Sequence, residues 1–199
     1  AMGFCRNATG PASLVANVMS DGTVSLVTGS VDLAGVRTAL SQQLAEVLGI
    51  AIEDISPQVV DTDLIGFTSA SAGSGAVFKS GWAAYEAAQD VKRQMEERAA
   101  KVWDIPADQV ELRDGVLRHK ADPELSMTFR ELAGMLNETG GPVVGRANLH
   151  PAGAGSSYAA NIVDVEVDPE TGKVDLLRYT AFQDVGTAVH PSYVEGQIQ

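Results

Sequence analysis

The segment from residue 163 to residue 182 constrains the fold more than any other part of the sequence. Between residues 163 and 167, valine alternates with aspartate or glutamate, which is typical of a β-strand with one buried face. Residues 168–172 (Asp-Pro-Glu-Thr-Gly) have the composition of a turn, and residues 174–182 return as a second strand. Asp21-Gly22 and Asp114-Gly115 predict two further hairpins. The chain must therefore contain antiparallel β-structure.

Two amphipathic helices are predicted between the strands. The first spans residues 36–48 and ends at Gly49, a residue type that commonly terminates helices. The second spans residues 80–102, with apolar residues every three or four positions and Ser80 as the cap of its first turn. Strands and helices do not alternate regularly. We therefore predict an α+β fold, in which a mixed sheet with β-hairpins is packed by two long helices.

The charge of the chain limits its partners. Its 199 residues include 14 Lys and Arg and 26 Asp and Glu, which gives a formal net charge of −12. Such a surface repels phosphate backbones and anionic lipids, so the sequence predicts neither a nucleic-acid partner nor a membrane partner. Cys5 is the single cysteine, which excludes an internal disulfide and an iron–sulfur cluster within the chain. We expect a reducing, cytoplasmic location.

Two loops are candidate ligand-binding segments. Residues 28–35 (Thr-Gly-Ser-Val-Asp-Leu-Ala-Gly) lie between a predicted strand and a helix, where backbone N–H groups and the helix N-terminus favour an anion. Residues 68–76 are serine, alanine, glycine and threonine, and they offer hydroxyls and amides to a polar ligand. A tight strand–helix connection is the alternative for the first loop. A flexible linker is the alternative for the second.

Other chemistry-bearing residues have simple alternatives. Cys5 is a candidate nucleophile of an unrelated hydrolase, but a lone cysteine is more often inert packing. Asp61 and Asp63 are a candidate acid–base pair, against which we set a capping or solvated role. His190 precedes a proline and is expected to start a turn or helix, and the three histidines lack metal-ligand spacing.

Several segments occur in an order that is typical of one protein family. The most specific are residues 165–172 (Val-Glu-Val-Asp-Pro-Glu-Thr-Gly) and residues 184–199, which include Asp-Val-Gly, His-Pro and Val-Glu-Gly-Gln-Ile-Gln. The others are residues 3–7, 21–30, 59–63 and 69–83. Together they resemble the molybdopterin-binding region in the large subunit of the molybdenum hydroxylases, the xanthine dehydrogenase and aldehyde oxidase family. The resemblance extends over residues 3–199.

The resemblance implies that residues 1–199 are an internal fragment of that molybdopterin-binding region, with a division into 3–105 and 106–199 as an alternative. It implies a molybdopterin cofactor, with the cytosine dinucleotide as an alternative form, whose sulfur atoms rather than protein side chains hold the metal. The implied reaction of the parent oxidoreductase is hydroxylation of an aldehyde or N-heteroaromatic small molecule with oxygen from water. The expected partners are the remaining part of the large subunit and 2Fe-2S and FAD subunits or domains.

The resemblance also assigns site residues. Gln197 would begin a third cofactor loop, and Phe4 and Cys5 would lie near a substrate pocket. The cofactor-binding residues of the first two loops would be Gly29, Ser30, Ala34 and Gly35, followed by Ser71, Ala72, Gly73, Ser74 and Gly75.

Two departures from the family pattern bear on activity. Many members carry Gly-Gln-Gly in the first loop, where the glutamine donates a hydrogen bond to an oxygen on the metal. Here Ala34-Gly35-Val36 stands in that place, and no side chain can make that bond. The catalytic glutamate of the family is expected beyond Gln199. We therefore expect this fragment to bind cofactor weakly or not at all and to be inactive alone; the alternative is a non-catalytic scaffold or interaction module derived from the same fold.

Overall fold

The computed structural model describes residues 1–153, 155–188 and 190–198. It forms two units: the hairpin unit, Ala1–Asn7 with Gly153–Gln199, and the core unit, Ala8–Ala152. A division between residues 105 and 106 falls inside the core unit. In chain order the elements are β1 (Met2–Arg6), β2 (Ala12–Val18), β3 (Val24–Thr28), α1 (Val36–Leu48), β4 (Ile55–Val59), α2 (Thr62–Ile65), α3 (Ala76–Trp103), β5 (Val110–Arg113), β6 (Val116–His119), β7 (Ser126–Thr128), α4 (Phe129–Gly134), α5 (Leu136–Thr139), β8 (Val144–Leu149), β9 (Ser156–Val167), β10 (Val174–Asp184) and α6 (Pro191–Ile198).

A four-stranded sheet in the order β4-β3-β2-β8 forms the centre of the core unit. β2 pairs antiparallel with β3 and with β8, whereas β3 and β4 are parallel and the chain passes through α1 between them. Ala16 lies opposite Leu26, and Val18 lies opposite Val24; all four side chains are buried. One face of this sheet therefore carries the core.

α1 begins and ends at the residues predicted from the sequence. Leu40, Leu44 and Leu48 are spaced one helical turn apart and are fully buried. Gly49 adopts a left-handed conformation (φ 68°), and its N–H donates to the carbonyl of Ala45 at 2.7 Å. A glycine accepts this backbone conformation without a steric penalty, which is why the helix ends there.

α3 begins at Ala76, so the prediction that Ser80 caps the helix is wrong. The N-cap is Gly75, which has no side chain to mark a helix start in the sequence. Ser80 lies inside the helix, where its buried hydroxyl has no hydrogen-bond partner among the described residues. The fully buried face of α3 consists of Ala83, Ala84, Ala87, Ala88, Val91, Met95 and Ala99.

None of the described helices, α3 included, is long and apolar enough to cross a membrane.

α3 packs closely on β8, which is an edge strand of the central sheet. Gly145 permits this approach, because a Cβ atom there would lie 2.2 Å from a backbone carbonyl of α3. The Asp90 carboxylate accepts a hydrogen bond from the Arg146 N–H at 3.1 Å, and the Gln94 side-chain amide donates to the Val144 carbonyl at 2.9 Å. Two side chains one turn apart therefore satisfy backbone groups of the edge strand.

The second sheet of the core unit, β5-β6-β7, contains the hairpin predicted at Asp114-Gly115. Both turn residues have positive φ (51° and 71°), as a tight two-residue hairpin turn requires. α4 follows β7 and begins with a capping box formed by Thr128 and Glu131. The Thr128 N–H donates to the Glu131 carboxylate at 2.7 Å, and the Glu131 N–H donates to the Thr128 hydroxyl at 3.1 Å.

The hairpin unit is a three-stranded antiparallel sheet in the order β1-β9-β10. The turn predicted between β9 and β10 is confirmed. The Asp168 carboxylate accepts hydrogen bonds from the Thr171 hydroxyl at 2.7 Å and the Glu170 N–H at 2.9 Å, and these bonds lower the pKa of Asp168. Gly172 completes the turn with φ 71°.

The prediction that β9 is buried on one face is wrong. Val163, Val165 and Val167 are 41%, 48% and 54% exposed. The register places Val163 opposite Tyr179 and Val165 opposite Leu176, so one face of the sheet is indeed apolar. The described strands of this unit nevertheless contain no buried residue. Alternation in a sequence fixes the face on which a side chain lies but not what covers that face.

Candidate functional site

The two candidate loops come together at a cleft in the core unit. Ala34 of the first loop and residues 71–75 of the second line this cleft, which has a volume of about 320 Å³. α1 and α3 both begin at it, and its lining carries no ionisable side chain. The lining residues are Leu33, Ala34, Val36, Ser71, Ala72, Gly73, Ser74, Gly75, Ala76 and Val77.

Four lining residues are not among the predicted cofactor contacts. Leu33 and Ala76 lie within the two candidate loops, residues 28–35 and 68–76, whereas Val36 and Val77 lie just beyond them. A helix predicted to start at residue 80 leaves Ala76 and Val77 outside it, but the structure places both in the first turn of α3. The available signal for Ala76 and Val77 is that the uncharged segment, residues 64–78, extends through both of them. If a helix starts within such a segment, its first backbone N–H groups have no partner in the helix and can bind a ligand.

Three predicted residues of the first loop do not line the cleft. Gly29 and Ser30 lie immediately after β3, and Ser30 is buried, with its N–H donating to the Thr28 hydroxyl at 3.1 Å. Gly35 is the N-cap of α1, with φ 85°, and is exposed. These residues shape the path of the loop, while Ala34 is the predicted first-loop residue that reaches the cleft.

Backbone strain is concentrated at the cleft. Ala34 (φ 53°) and Ser74 (φ 54°) both adopt left-handed conformations. The other described non-glycine residues with positive φ are Asp104 and Asp114, a residue type that tolerates this region. For alanine the left-handed region costs roughly 1–2 kcal/mol. Strain of this kind is characteristic of ligand-binding loops, where the backbone is shaped for a partner.

In the first loop, the carboxylate of Asp32 binds the first turn of α1. The Asp32 carboxylate accepts hydrogen bonds from the Arg37 N–H at 3.0 Å and from the Arg37 guanidinium at 2.7 Å. The backbone bond and then the guanidinium bond lower the pKa of Asp32. Asp32 therefore fixes the loop immediately before Leu33 and Ala34.

The second loop rests on residues 8–11 of the same unit. The Ala8 N–H donates to the Gly73 carbonyl at 2.7 Å, and the Ser69 N–H donates to the Pro11 carbonyl at 2.9 Å. A Cβ atom at Gly75 would lie 2.2 Å from the Ala8 carbonyl oxygen. Glycine at this position is therefore a packing requirement, and the loop is a supported segment rather than the flexible linker considered from the sequence.

The remaining predicted site residues belong to the hairpin unit, whereas the cleft lies in the core unit. Phe4 and Cys5 are exposed on β1, where Phe4 pairs with Tyr158 of β9. Gln197 is exposed on α6. Gln199, the last residue of the segment used for the family resemblance, lies outside the described residues.

The other polar candidates have local structural roles. The Asp63 N–H donates to the Asp61 carboxylate at 3.0 Å, which makes Asp61 the cap of α2. The His190 carbonyl accepts from the Tyr193 N–H at 3.1 Å, and the two rings stack with centroids 3.9 Å apart at the start of α6. Among the described residues, no cluster of three or more His, Cys, Asp or Glu side chains could hold a metal ion.

Sequence comparisons relate the chain to known proteins. A family model described as a molybdopterin cofactor-binding domain matches residues 1–199. The chain is 30% identical over 192 residues to the "Probable hypoxanthine oxidase XdhD" of Escherichia coli (strain K12), covering 94% of this chain and 20% of that protein. It is 29% identical over 189 residues to the "6-hydroxypseudooxynicotine dehydrogenase complex subunit gamma" of Paenarthrobacter nicotinovorans, covering 89% and 23%. The chain thus spans about a fifth of the length of these relatives.

A structural comparison confirms the predicted fold. The chain superposes on the Cu,Mo-CO dehydrogenase in its carbon monoxide reduced state with a TM-score of 0.83 at 23% sequence identity. The superposition covers 99% of this chain and 27% of the dehydrogenase chain. The α+β architecture, with its mixed sheet, hairpins and two long helices, is therefore a fold that also occurs within that dehydrogenase chain.

Proposed function

This chain belongs to the molybdopterin cofactor-binding domain family, and on that premise we propose that the cleft between its two loops holds part of a molybdopterin cofactor. The observation that carries the proposal is the convergence of Ala34 and residues 71–75 on one cleft, although 36 residues lie between Ala34 and Ser71. Both segments are rich in small residues, and the family resemblance implies the same ligand for both.

The cleft suits such a group. Its volume of about 320 Å³ is at the lower end of the range for small-molecule sites, which is enough for part of a cofactor that extends further. Because the side chains of the second loop are small, a ligand can come close to its backbone. The backbone N–H groups at the start of α3 favour a negatively charged or polar group. Ala34, Ser71, Ala72, Gly73, Ser74 and Gly75 are the residues that would hold it.

Bound molybdopterin supplies the redox chemistry of the metal, and the residues of this chain bind and orient it. Ala34 has no side-chain donor, so contacts from the first loop come from its backbone. Ser71 and Ser74 offer hydroxyls as well as amides from the second loop. The strained conformations of Ala34 and Ser74 present these groups before the ligand arrives, which reduces the entropy lost on binding.

We further propose that the protein containing this domain is a molybdenum-dependent oxidoreductase that hydroxylates an aldehyde or an N-heteroaromatic compound with oxygen from water. The name of the hypoxanthine oxidase relative supports an N-heteroaromatic substrate, and that of the gamma subunit relative supports a multi-subunit assembly. The remaining part of a large subunit and 2Fe-2S and FAD subunits or domains are the proposed partners. Phe4, Cys5 and Gln197 stay proposed contacts to substrate and cofactor.

The experiment is to purify the full-length protein with its co-purifying subunits from cells that make molybdopterin. Molybdenum is measured by elemental analysis, and pterin by fluorescence after oxidation. Near-stoichiometric amounts of both would support the proposal and would be followed by a screen of aldehydes and N-heterocycles with a dye acceptor. A protein free of both would refute it and would favour the non-catalytic module.

A further inference from the structure

Lys79 is an unusual residue in the first turn of α3. Only 2% of its surface is exposed, and burial lowers the pKa of its ammonium group because desolvation disfavours the charge. None of the ion pairs among the described residues includes Lys79. Burying a cation without a carboxylate partner lowers the stability of the folded protein. An apolar side chain of similar length at this position would therefore give a more stable protein.

Among the described residues, both side-chain hydrogen bonds of Lys79 go to the second loop. Its ammonium donates to the Ser69 hydroxyl at 2.8 Å and to the Ala70 carbonyl at 2.8 Å. Its backbone N–H donates to the Gly75 carbonyl at 2.9 Å. The ammonium therefore holds the beginning of residues 69–75, the segment that supplies half of the cleft lining, and the first backbone bond of α3 holds its end.

The side chain of Lys79 reaches the loop beside Gly10. A Cβ atom at Gly10 would lie 2.4 Å from the Ser69 hydroxyl oxygen and 3.3 Å from Cδ of Lys79. A larger residue at position 10 would thus displace the hydroxyl that the ammonium holds. The side chains of Ser69 and Lys79 therefore pack side by side against Gly10.

We propose that Lys79 is a positioning residue: its ammonium fixes residues 69–75 in the conformation that lines the cleft, at the expense of folding stability. An ammonium suits this task because its three donors can bind a hydroxyl and a carbonyl together, and charge strengthens both bonds. The Ala70 carbonyl also accepts the Ala72 N–H at 3.0 Å, so the effect of the charge extends to a residue that lines the cleft. The inference rests on the proposed function, since it concerns the loop assigned to the cofactor.

The test compares Lys79→Met with Lys101→Met in the full-length protein. Lys101 is exposed in the last turn of the same helix and serves as the matched control. Amide hydrogen exchange is measured on cofactor-free protein. For Lys79→Met we expect exchange in residues 69–75 to accelerate about tenfold, with unchanged exchange in β2 and β3 and an equal or higher melting temperature. The pterin content of the same variant, purified from cofactor-producing cells, should fall, whereas Lys101→Met should behave like the parent.

Three results would overturn the inference. The first is unchanged exchange in residues 69–75 of Lys79→Met. The second is faster exchange throughout the core unit with a lower melting temperature, and the third is loss of folding in both Lys79→Met and Lys79→Gln; in either case Lys79 would be a folding residue. A parent protein that never contains pterin would refute the proposed function, while the exchange experiment would still decide the role of Lys79.

Discussion

Ala34 and Ser74 line the same cleft from two different loops, and both hold a left-handed backbone, with φ values of 53° and 54°. Neither residue is glycine or asparagine, the types that occupy this region most easily. The surrounding structure must therefore impose the conformation. At Ala34 this constraint comes from Asp32, which is bonded to Arg37, and at Ser74 from Gly73 and Gly75, which pack on Ala8.

Replacing Ala34 with glycine should stabilise the protein. Relief of the left-handed strain exceeds the greater flexibility of glycine in the unfolded chain, for a net gain of about 0.5–1 kcal/mol. Ala39→Gly is the matched control, because the same chemical change inside α1 should cost about 1 kcal/mol. Urea unfolding of both variants checks the prediction, and a loss of stability in Ala34→Gly would contradict it.

Replacing Gly75 with alanine should displace the second loop. The new Cβ atom would meet the backbone carbonyl of Ala8 at 2.2 Å, and neither backbone segment can move aside easily. We expect a loss of roughly 1–3 kcal/mol and faster hydrogen exchange at Ala8 and in residues 69–75. Gly134→Ala is the control, because its Cβ would make an ordinary 3.8 Å contact. Equal stability of the two variants would count against a packing role for Gly75.

Much of the local structure could be predicted because it depends on neighbouring residues. The Asp-Gly hairpins and the end of α1 at Gly49 follow from backbone conformations that few residues accept. The start of α3 could not be located in this way, because Gly75 caps it without a side chain. The valines of β9 show the same limit, since their alternation says nothing about what covers them.

The candidate site was predictable in its parts but not in its assembly. Both loops stood out for their small residues, whereas their meeting at one cleft depends on the parallel pairing of β3 with β4 and on the packing of α1 against α3. The role of Lys79 could not be predicted, because the sequence does not distinguish a buried lysine from a solvated one. Contacts of this kind depend on the folded chain.

Replacing Gln94 with alanine should leave one backbone carbonyl of the central sheet without its hydrogen-bond partner. The Val144 carbonyl on the edge strand β8 would lose its partner, at a cost of about 1–2 kcal/mol. Glu97→Ala on the same helix is the control, because its exposed ion pair with Arg93 should contribute less than about 1 kcal/mol. Denaturant unfolding distinguishes the two, and an equal loss in both variants would argue against edge protection by Gln94.

The stability contributed by Asp32 should depend on pH. Its hydrogen bonds from Arg37 place its pKa in the folded protein below the ordinary value of 3.8. A lowered pKa means that the contribution is present above 3.8 and is lost as the pH falls through the folded-state pKa. The stability difference between the parent and Asp32→Asn should therefore be largest near about pH 7 and shrink toward about pH 3.

Chemical denaturation across this pH range measures the effect of Asp32→Asn. Glu86→Gln, an exposed carboxylate on α3, is the control and should show a small difference at every pH. A difference for Asp32→Asn that grows as the pH falls would contradict the conclusion that the ionised Asp32 carboxylate fixes the first loop.

The central claim is that the cleft itself holds the cofactor, and the most direct test is to fill it. Ala72 is exposed on the second loop and lines the cleft, whereas Ala121 is exposed between β6 and β7 and is not part of the lining. The measurement is the pterin content of full-length Ala72→Trp and Ala121→Trp proteins, purified in parallel from cells that make molybdopterin. We predict that Ala72→Trp loses most of its pterin while Ala121→Trp retains the level of the parent. Equal retention by both variants would show that the cofactor is held elsewhere.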